Sequence, residues 1–213
     1  MNVPKIIWQT HNYEFDDLPT HLKKITKTWT NLNPSWEYRY ASHTQRLKDI
    51  AGYPILLDYY NKANPATQSD IWRFIVTYEN GGVYADMDSV CIKPIDHLLN
   101  SLIDCEMLVV PPSMNPGSPT NTANYAIKKQ SNIMKNLLDY TQEHVYAQGG
   151  NYRHPWECFI DIVTKSDDVL YEFTAAWHTM EFKTEFNPNF YIDYYGKPIK
   201  YIDFIDKYNL EYF

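Results

Sequence analysis

The chain has 213 residues, 44% hydrophobic and 21% charged, an ordinary balance for a globular protein long enough to bury a core. Its net charge is −7 and its only basic pairs are Lys23–Lys24 and Lys128–Lys129, which excludes the basic stripe of a nucleic-acid binder. No apolar run reaches the roughly 18 residues of a membrane span, and Cys91, Cys105 and Cys158, odd in number and widely spaced, exclude a disulfide framework or a cysteine zinc site.

The opening Val3–Thr10, with Val3, Ile6, Ile7 and Trp8, predicts a buried first strand. Leu22, Ile25 and Trp29 predict a helix over His21–Asn31, ended by Asn33-Pro34. Trp36–Ala41 alternates like a strand, and Thr44–Ala51 reads as a short helix stopped by Gly52. Strand, helix, strand, helix is the pattern of an α/β fold with a mostly parallel sheet covered by helices. Asn64 and Pro65 cap the next helix, which Gly81-Gly82 stops. Val83–Val90 reads as one strand, Ile95–Leu102 as helix-like and Met107–Val110 as a buried strand. Pro111–Asn124 reads as a long loop, a length common in functional lids, and Ala126–Val145 as a helix. Gln148–His154 is turn-like, Trp156–Thr164 fits helix or strand equally, and the Tyr-rich tail from Asp167 has no clear period. The whole is expected to be a single domain, with residues 1–110 and 111–213 as its two parts. The opening segment lacks the basic and apolar regions of a signal peptide, and the thiols suit a reducing compartment, so the expected location is the cytoplasm.

Aromatic residues reach 16%, with 19 Tyr and 6 Trp. Such rings bind sugars and bases, but a Tyr-rich core explains them equally. The sharper signal is Asp86-Met87-Asp88. On a strand the two aspartates face one way, roughly 6–7 Å apart, with Ala85 and Met87 directed to the core. Two carboxylates so placed can share a hard divalent cation, Mn²⁺ or Mg²⁺. Three residues apart on the preceding helix, Asp70 and Arg73 share a face among apolar neighbours. A surface ion pair is the plain alternative; a buried pair needs further polar partners, which sugar hydroxyls can supply.

Ser69-Asp70-Ile71-Trp72-Arg73 followed by Gly81-Gly82-Val83-Tyr84-Ala85-Asp86-Met87-Asp88 resembles the signature of DXD glycosyltransferases of the family-32 type. That group includes yeast mannosyltransferase-like proteins and is patterned like the clostridial toxin glucosyltransferases. Pro4 to His11 resembles their first strand, so the likeness covers about the first hundred residues. The Ala-Asp-Met-Asp-Ser core is also similar to glycosyltransferase domains of chlorella-virus glycan-building proteins. The resemblance implies a GT-A type, Rossmann-like fold and transfer of a hexose or deoxyhexose from a nucleoside-diphosphate sugar, a UDP-sugar by the toxin likeness, to a glycan or glycoprotein acceptor, with retention. It implies that Trp8 stacks near the base with Gln9 and Thr10 beside it, that Asp70 and Arg73 bind the donor sugar, and that Tyr84 packs near the nucleotide. Asp86 would touch ribose, sugar and metal, and Asp88 would ligate the metal. A third ligand is expected late in the chain, with His178 the first candidate and His154 the second; Asn121 or Asn124 would border the sugar. The family's Thr-Gly-Pro segment is missing, with only Ile162 to Ser166 in a comparable place, which leaves the acceptor side without a match.

Two other classes fit parts of the pattern. A metal-dependent nucleotidyltransferase or phosphoesterase would use the same carboxylates, but it calls for a Gly-rich phosphate loop or more ligands. A non-catalytic carbohydrate-binding module would use the aromatics, but it has no need of Asp70, Arg73, Asp86 and Asp88 together.

Overall fold

The computed structural model describes residues 3–91, 93–96, 99–100, 102–103, 105–109, 124–146, 154–171, 177–179, 190–192 and 198–200, with only the backbone at 124, 145–146 and from 170 onward. Strand β1 (Ile6–Thr10) lies inside the central sheet. It pairs in parallel with β2 (Glu37–Ala41) on one side and β3 (Gly82–Ala85) on the other. Two further strands, β4 (Ser89–Cys91) and β5 (Met107–Val109), follow along the chain, then β6 (Asn124–Ile127) and β7 (Val169–Tyr171). The six-stranded order is β2-β1-β3-β6-β5-β7, and β6 alone runs antiparallel to its neighbours. The fold is thus α/β with a mainly parallel sheet, as the opening pattern predicts.

Alternation along the strands builds two cores. Ile7, Val83, Ala85, Leu108 and Ala126 face one side, where Trp29 of α1 (Thr20–Leu32) packs. Trp8, Tyr84, Met107, Val109, Tyr125 and Ile127 face the other. That second face is covered by α2 (His43–Ile50), α3 (Pro54–Lys62), α4 (Pro65–Asn80), α5 (Asn132–Tyr146) and α6 (Pro155–Val163). Covered on both faces, β3 and β5 are buried at every position and read as continuous apolar runs, whereas the edge strand β2 is exposed at Glu37 and fully buried only at Ala41.

Helix α4 begins where the sequence predicts. The Asn64 side chain accepts from the Thr67 N–H at 3.0 Å, Pro65 takes the first helical position, and Gly81 ends the helix at φ 69°. Other expectations change. Leu56, Tyr59 and Tyr60 recur at helical spacing and are buried, so Pro54–Lys62, given no element above, is helix α3. The undecided stretch at 156–164 is also helical. Residues 124–127, read as loop end and helix start, form a strand; a turn with Gln130 at φ 53° separates it from α5. The strand expected over Val83–Val90 is broken at Asp86–Asp88. The Ser89 N–H donates to Asp86 O at 2.9 Å and closes a turn, and β4 leaves the central sheet to pair with β8 (Trp177–Thr179). A last pair, β9 (Phe190–Ile192) and β10 (Pro198–Lys200), lies in the tail that shows no period in sequence. The long loop over 111–123 and the turn over 148–153 lie outside the described residues, as does part of the helix-like stretch over 95–102.

The two glycines at the α4–β3 junction are structural necessities. Gly82 has φ 107°, and a Cβ there would lie 2.6 Å from Ile6 O. Gly82→Ala is therefore expected to cost about 3 kcal/mol from backbone strain, with the clash in addition, read as a lower midpoint in urea unfolding.

Candidate functional site

At the C-terminal ends of β1 and β3 a cleft of about 380 Å³ opens, the size of a small-molecule site. Ligands of α/β sheets bind at this end of the strands. Thr10 and His11 come from β1 and its exit, His21 and Leu22 from α1, and Ala66, Ser69 and Arg73 from α4. Tyr84, Asp86, Met87 and Asp88 form the remaining wall.

Arg73 is the centre of the polar network. Its Nη2 lies 2.9 Å from Asp70 Oδ1 and its Nη1 lies 3.3 Å from Asp86 Oδ1, with side-chain exposures of 5%, 10% and 33% for Arg73, Asp70 and Asp86. The guanidinium also sits 4.3 Å from the centre of the Tyr84 ring. Burial works against its charge, yet Tyr84, Asp86 and Asp70 outweigh burial and hold its pKa above the ordinary value. The Tyr84 phenol, raised chiefly by burial and further by Asp86 against the pull of Arg73, keeps its proton and donates it to Asp86 Oδ1 at 2.6 Å. Both contacts to the Asp86 carboxylate fall on Oδ1, and among the described residues no hydrogen bond or ion pair falls on Oδ2.

The Asp86–Asp88 turn is held from below. Gln9, fully buried, donates from Nε2 to Asp86 O at 3.0 Å, and Tyr38 donates to Gln9 Oε1 at 3.0 Å. The turn, rather than strand alternation, brings Asp86 and Asp88 to the same cleft. Ala85 faces the core, and Met87, expected beside it, is buried and also lines the cleft. Two carboxylates on one wall form a hard-donor pair suited to Mn²⁺ or Mg²⁺. Among the described residues no three His, Cys, Asp or Glu side chains gather into a metal cluster, so further ligands would come from elsewhere.

The other expected residues divide. Thr10 lines the cleft, while Gln9 is the support under the turn. Trp8 lies in the core: its Nε1 donates to Gly81 O at 2.9 Å and its ring meets Trp72 edge-on at 6.0 Å. Asp70 stands behind the cleft lining and pairs with Arg73 at 2.9 Å. The backbone of Asn124 stands opposite Ala85, and that of His178 opposite Val90, two residues past Asp88; both side chains lie outside the described residues, as does Asn121. His154 precedes α6, its N–H donating to the Glu157 carboxylate at 2.9 Å. The segment 162–166 carries the end of that helix. His11, His21 and Ser69 also line the cleft, although the motifs assign them no role. His11 follows the first strand directly, a position that marks a strand exit; nothing in the sequence marks His21.

The family model described as "Glycosyltransferase sugar-binding region containing DXD motif" matches residues 19–106. The initiation-specific alpha-1,6-mannosyltransferase of Saccharomyces cerevisiae is 29% identical over 118 residues, covering 48% of this chain and 24% of that protein. The chain thus spans about a quarter of the length of that relative. Among solved structures, the PaToxG glycosyltransferase superposes with a TM-score of 0.57 at 15% identity, covering 76% of this chain and 69% of that one. The UDP-bound glycosyltransferase domain of the YGT toxin superposes with a TM-score of 0.50 at 9% identity, covering 67% and 62%. These likenesses support a GT-A-like α/β fold. Among the described residues no helix is long and apolar enough to cross a membrane.

The charges of the cleft make two expectations testable. Arg73→Met leaves Asp70 buried without its cation and is expected to cost about 3–5 kcal/mol in urea unfolding. His11 is lowered from 6.5 by burial, then by Arg46 and His21, and His21 by burial. Below 6.5 the unfolded chain takes protons that the folded chain refuses, so stability falls as pH drops until the lower folded values are passed. The variant with His11→Gln and His21→Gln is expected to lose less stability than the native chain between about pH 7.5 and about pH 5.5, read by urea unfolding at both.

Proposed function

We propose that the chain moves a hexose or deoxyhexose from a nucleoside-diphosphate sugar, a UDP-sugar in this reading, to a glycan or glycoprotein acceptor with retention of configuration. The observation that carries the reading is one cleft at the strand ends holding Asp86, Asp88 and Arg73 together. The likeness to a mannosyltransferase and to a UDP-bound toxin domain supports the donor class. The location in this reading is the cytoplasm, on the ground of cysteines that are odd in number and widely spaced.

Asp86 and Asp88 would hold Mn²⁺ or Mg²⁺, with His178 as a further candidate because its strand pairs next to the turn. The cation, when bound, offsets the negative charge that gathers on the departing diphosphate. The remaining work falls to the protein's own groups. Arg73, held by Asp70 and stacked on Tyr84, presents a fixed positive fork to the donor's hydroxyl or phosphate oxygens. Tyr84 fixes the Asp86 carboxylate through Oδ1 and leaves Oδ2 for the ligand. Gln9 fixes the turn backbone, so both carboxylates are placed before the donor arrives. Asn124, whose backbone pairs with that of Ala85, would border the sugar. Diphosphate is already a good leaving group, so a paired general acid is not required.

Asp88→Asn tests the reading. It is expected to lower manganese-dependent hydrolysis of a UDP-sugar at least about a hundredfold while the circular-dichroism melt stays near that of the native chain. Unchanged hydrolysis would reject the metal role. Calorimetry adds a second arm: UDP binding that requires Mn²⁺ supports the transferase, and sugar binding indifferent to metal supports a carbohydrate-binding module.

A further inference from the structure

A second arginine stands behind the same cleft. Arg46 of α2 is fully buried, at 0% exposure. Its Nη1 donates to Thr10 Oγ1 at 3.3 Å and to Ser69 Oγ at 2.8 Å, its Nη2 donates to Asn12 Oδ1, and its guanidinium lies 5.9 Å from the centre of the Tyr60 ring. Every one of these partners is neutral. Among the described residues no carboxylate pairs with it, and its Nε has no hydrogen-bond partner. Arg73, by contrast, has Asp70 and Asp86.

A buried cation with neutral partners is costly, and an apolar side chain of similar volume would fill the space without that cost. Packing alone therefore does not account for an arginine here. Its partners suggest what does. Thr10 ends β1, Asn12 lies in the next segment and Ser69 lies on α4, so one fork ties three separate parts of the fold. Thr10 and Ser69 both line the cleft. Their own protons are committed to Ala41 O at 2.7 Å and Pro65 O at 3.0 Å, so the guanidinium fixes both hydroxyls from behind. Its charge also reaches His11 on the cleft wall.

We propose that Arg46 is a positioning residue for a diphosphate in this cleft: it braces the wall at Thr10, Asn12 and Ser69, and its uncompensated charge supplies positive potential that the entering anion balances. The proposal rests on the donor reading above and extends it to a residue outside the DXD turn and the Asp70–Arg73 pair. The charge acts through the wall, across a low-dielectric layer that screens it weakly.

Calorimetry on the full chain with UDP, with inorganic diphosphate and with uridine, all in Mn²⁺, tests it with two variants. Arg46→Gln keeps a donor for the hydroxyls and removes the charge. It is expected to bind UDP and diphosphate about tenfold more weakly and uridine as the native chain does. Arg46→Lys keeps the cation and gives up the fork; its UDP affinity is expected between those of Arg46→Gln and the native chain, with uridine binding unchanged. If Arg46→Gln binds UDP as tightly as native, or loses UDP and uridine equally, the charge has no role and the proposal falls. If Arg46→Gln does not fold, folded Arg46→Lys that loses UDP and uridine equally overturns it. A native chain that binds neither UDP nor diphosphate overturns the donor reading and this one together; native binding with an indifferent Arg46→Gln overturns this one alone.

Discussion

The guanidinium of Arg73 is the point on which the cleft depends. It is buried among Asp70, Asp86 and the face of Tyr84, and each partner belongs to a different part of one continuous stretch: helix, strand and turn. A buried charge tolerates such a place only when its neighbours compensate it. The compensation is mutual, because Asp70 is itself a buried carboxylate and faces the same guanidinium at 2.9 Å. Tyr125 completes the arrangement, its hydroxyl donating to the backbone oxygen of Arg73 at 3.2 Å and meeting Thr77 Oγ1 at 3.1 Å. The phenol of Tyr125 is raised by burial and is neutral, so it holds the helix in place without adding charge to the network.

A rigid network matters because the acidic turn beside it has little regular structure of its own. Residues 86–88 leave the central sheet, and the Ser89–Asp86 turn bond, the Gln9 amide and the Tyr84 hydroxyl fix them. The two side-chain anchors reach back to sheet positions. Gln9 is itself held by Tyr38 on the neighbouring strand, so support for the turn crosses β2, β1 and β3 in sequence. The sheet serves less as a wall than as a frame from which side chains suspend one loop.

Much of this was legible in the residues, for physical reasons that differ by element. Asn64, Pro65 and Gly81 mark α4 because capping and backbone freedom act locally. The burial of β1 is legible too, because Val3, Ile6, Ile7 and Trp8 form a local apolar run. The break inside Val83–Val90 was not legible, because Val-Tyr-Ala-Asp-Met-Asp-Ser-Val keeps a strand-like alternation straight through it; the bend is held by Gln9, distant in sequence. Helix α3 carries its signal in Leu56, Tyr59 and Tyr60, with Pro54 in the first turn, but nine residues between two breakers give that period little room to show. For the cleft, motif and spacing find Asp86, Asp88, Arg73 and Thr10, with Asp70 as the support of Arg73. Gln9 and Trp8 carry ligand roles in the family resemblance, whereas their contacts here hold backbone oxygens. Arg46 carries no motif at all, and only its burial and its choice of neighbours single it out.

Helix α4 ends at Asn80 and β3 starts at Gly82, so a single residue joins the element bearing Arg73 to the strand bearing Tyr84. Trp8 closes this junction from the side through the Gly81 oxygen. The connection has no slack. One added residue would shift β3 by a position and, because strand side chains alternate, would turn Val83 rather than Tyr84 toward the arginine. Chain length at this junction therefore sets whether guanidinium and ring meet at all, independently of which side chains fill the surrounding positions.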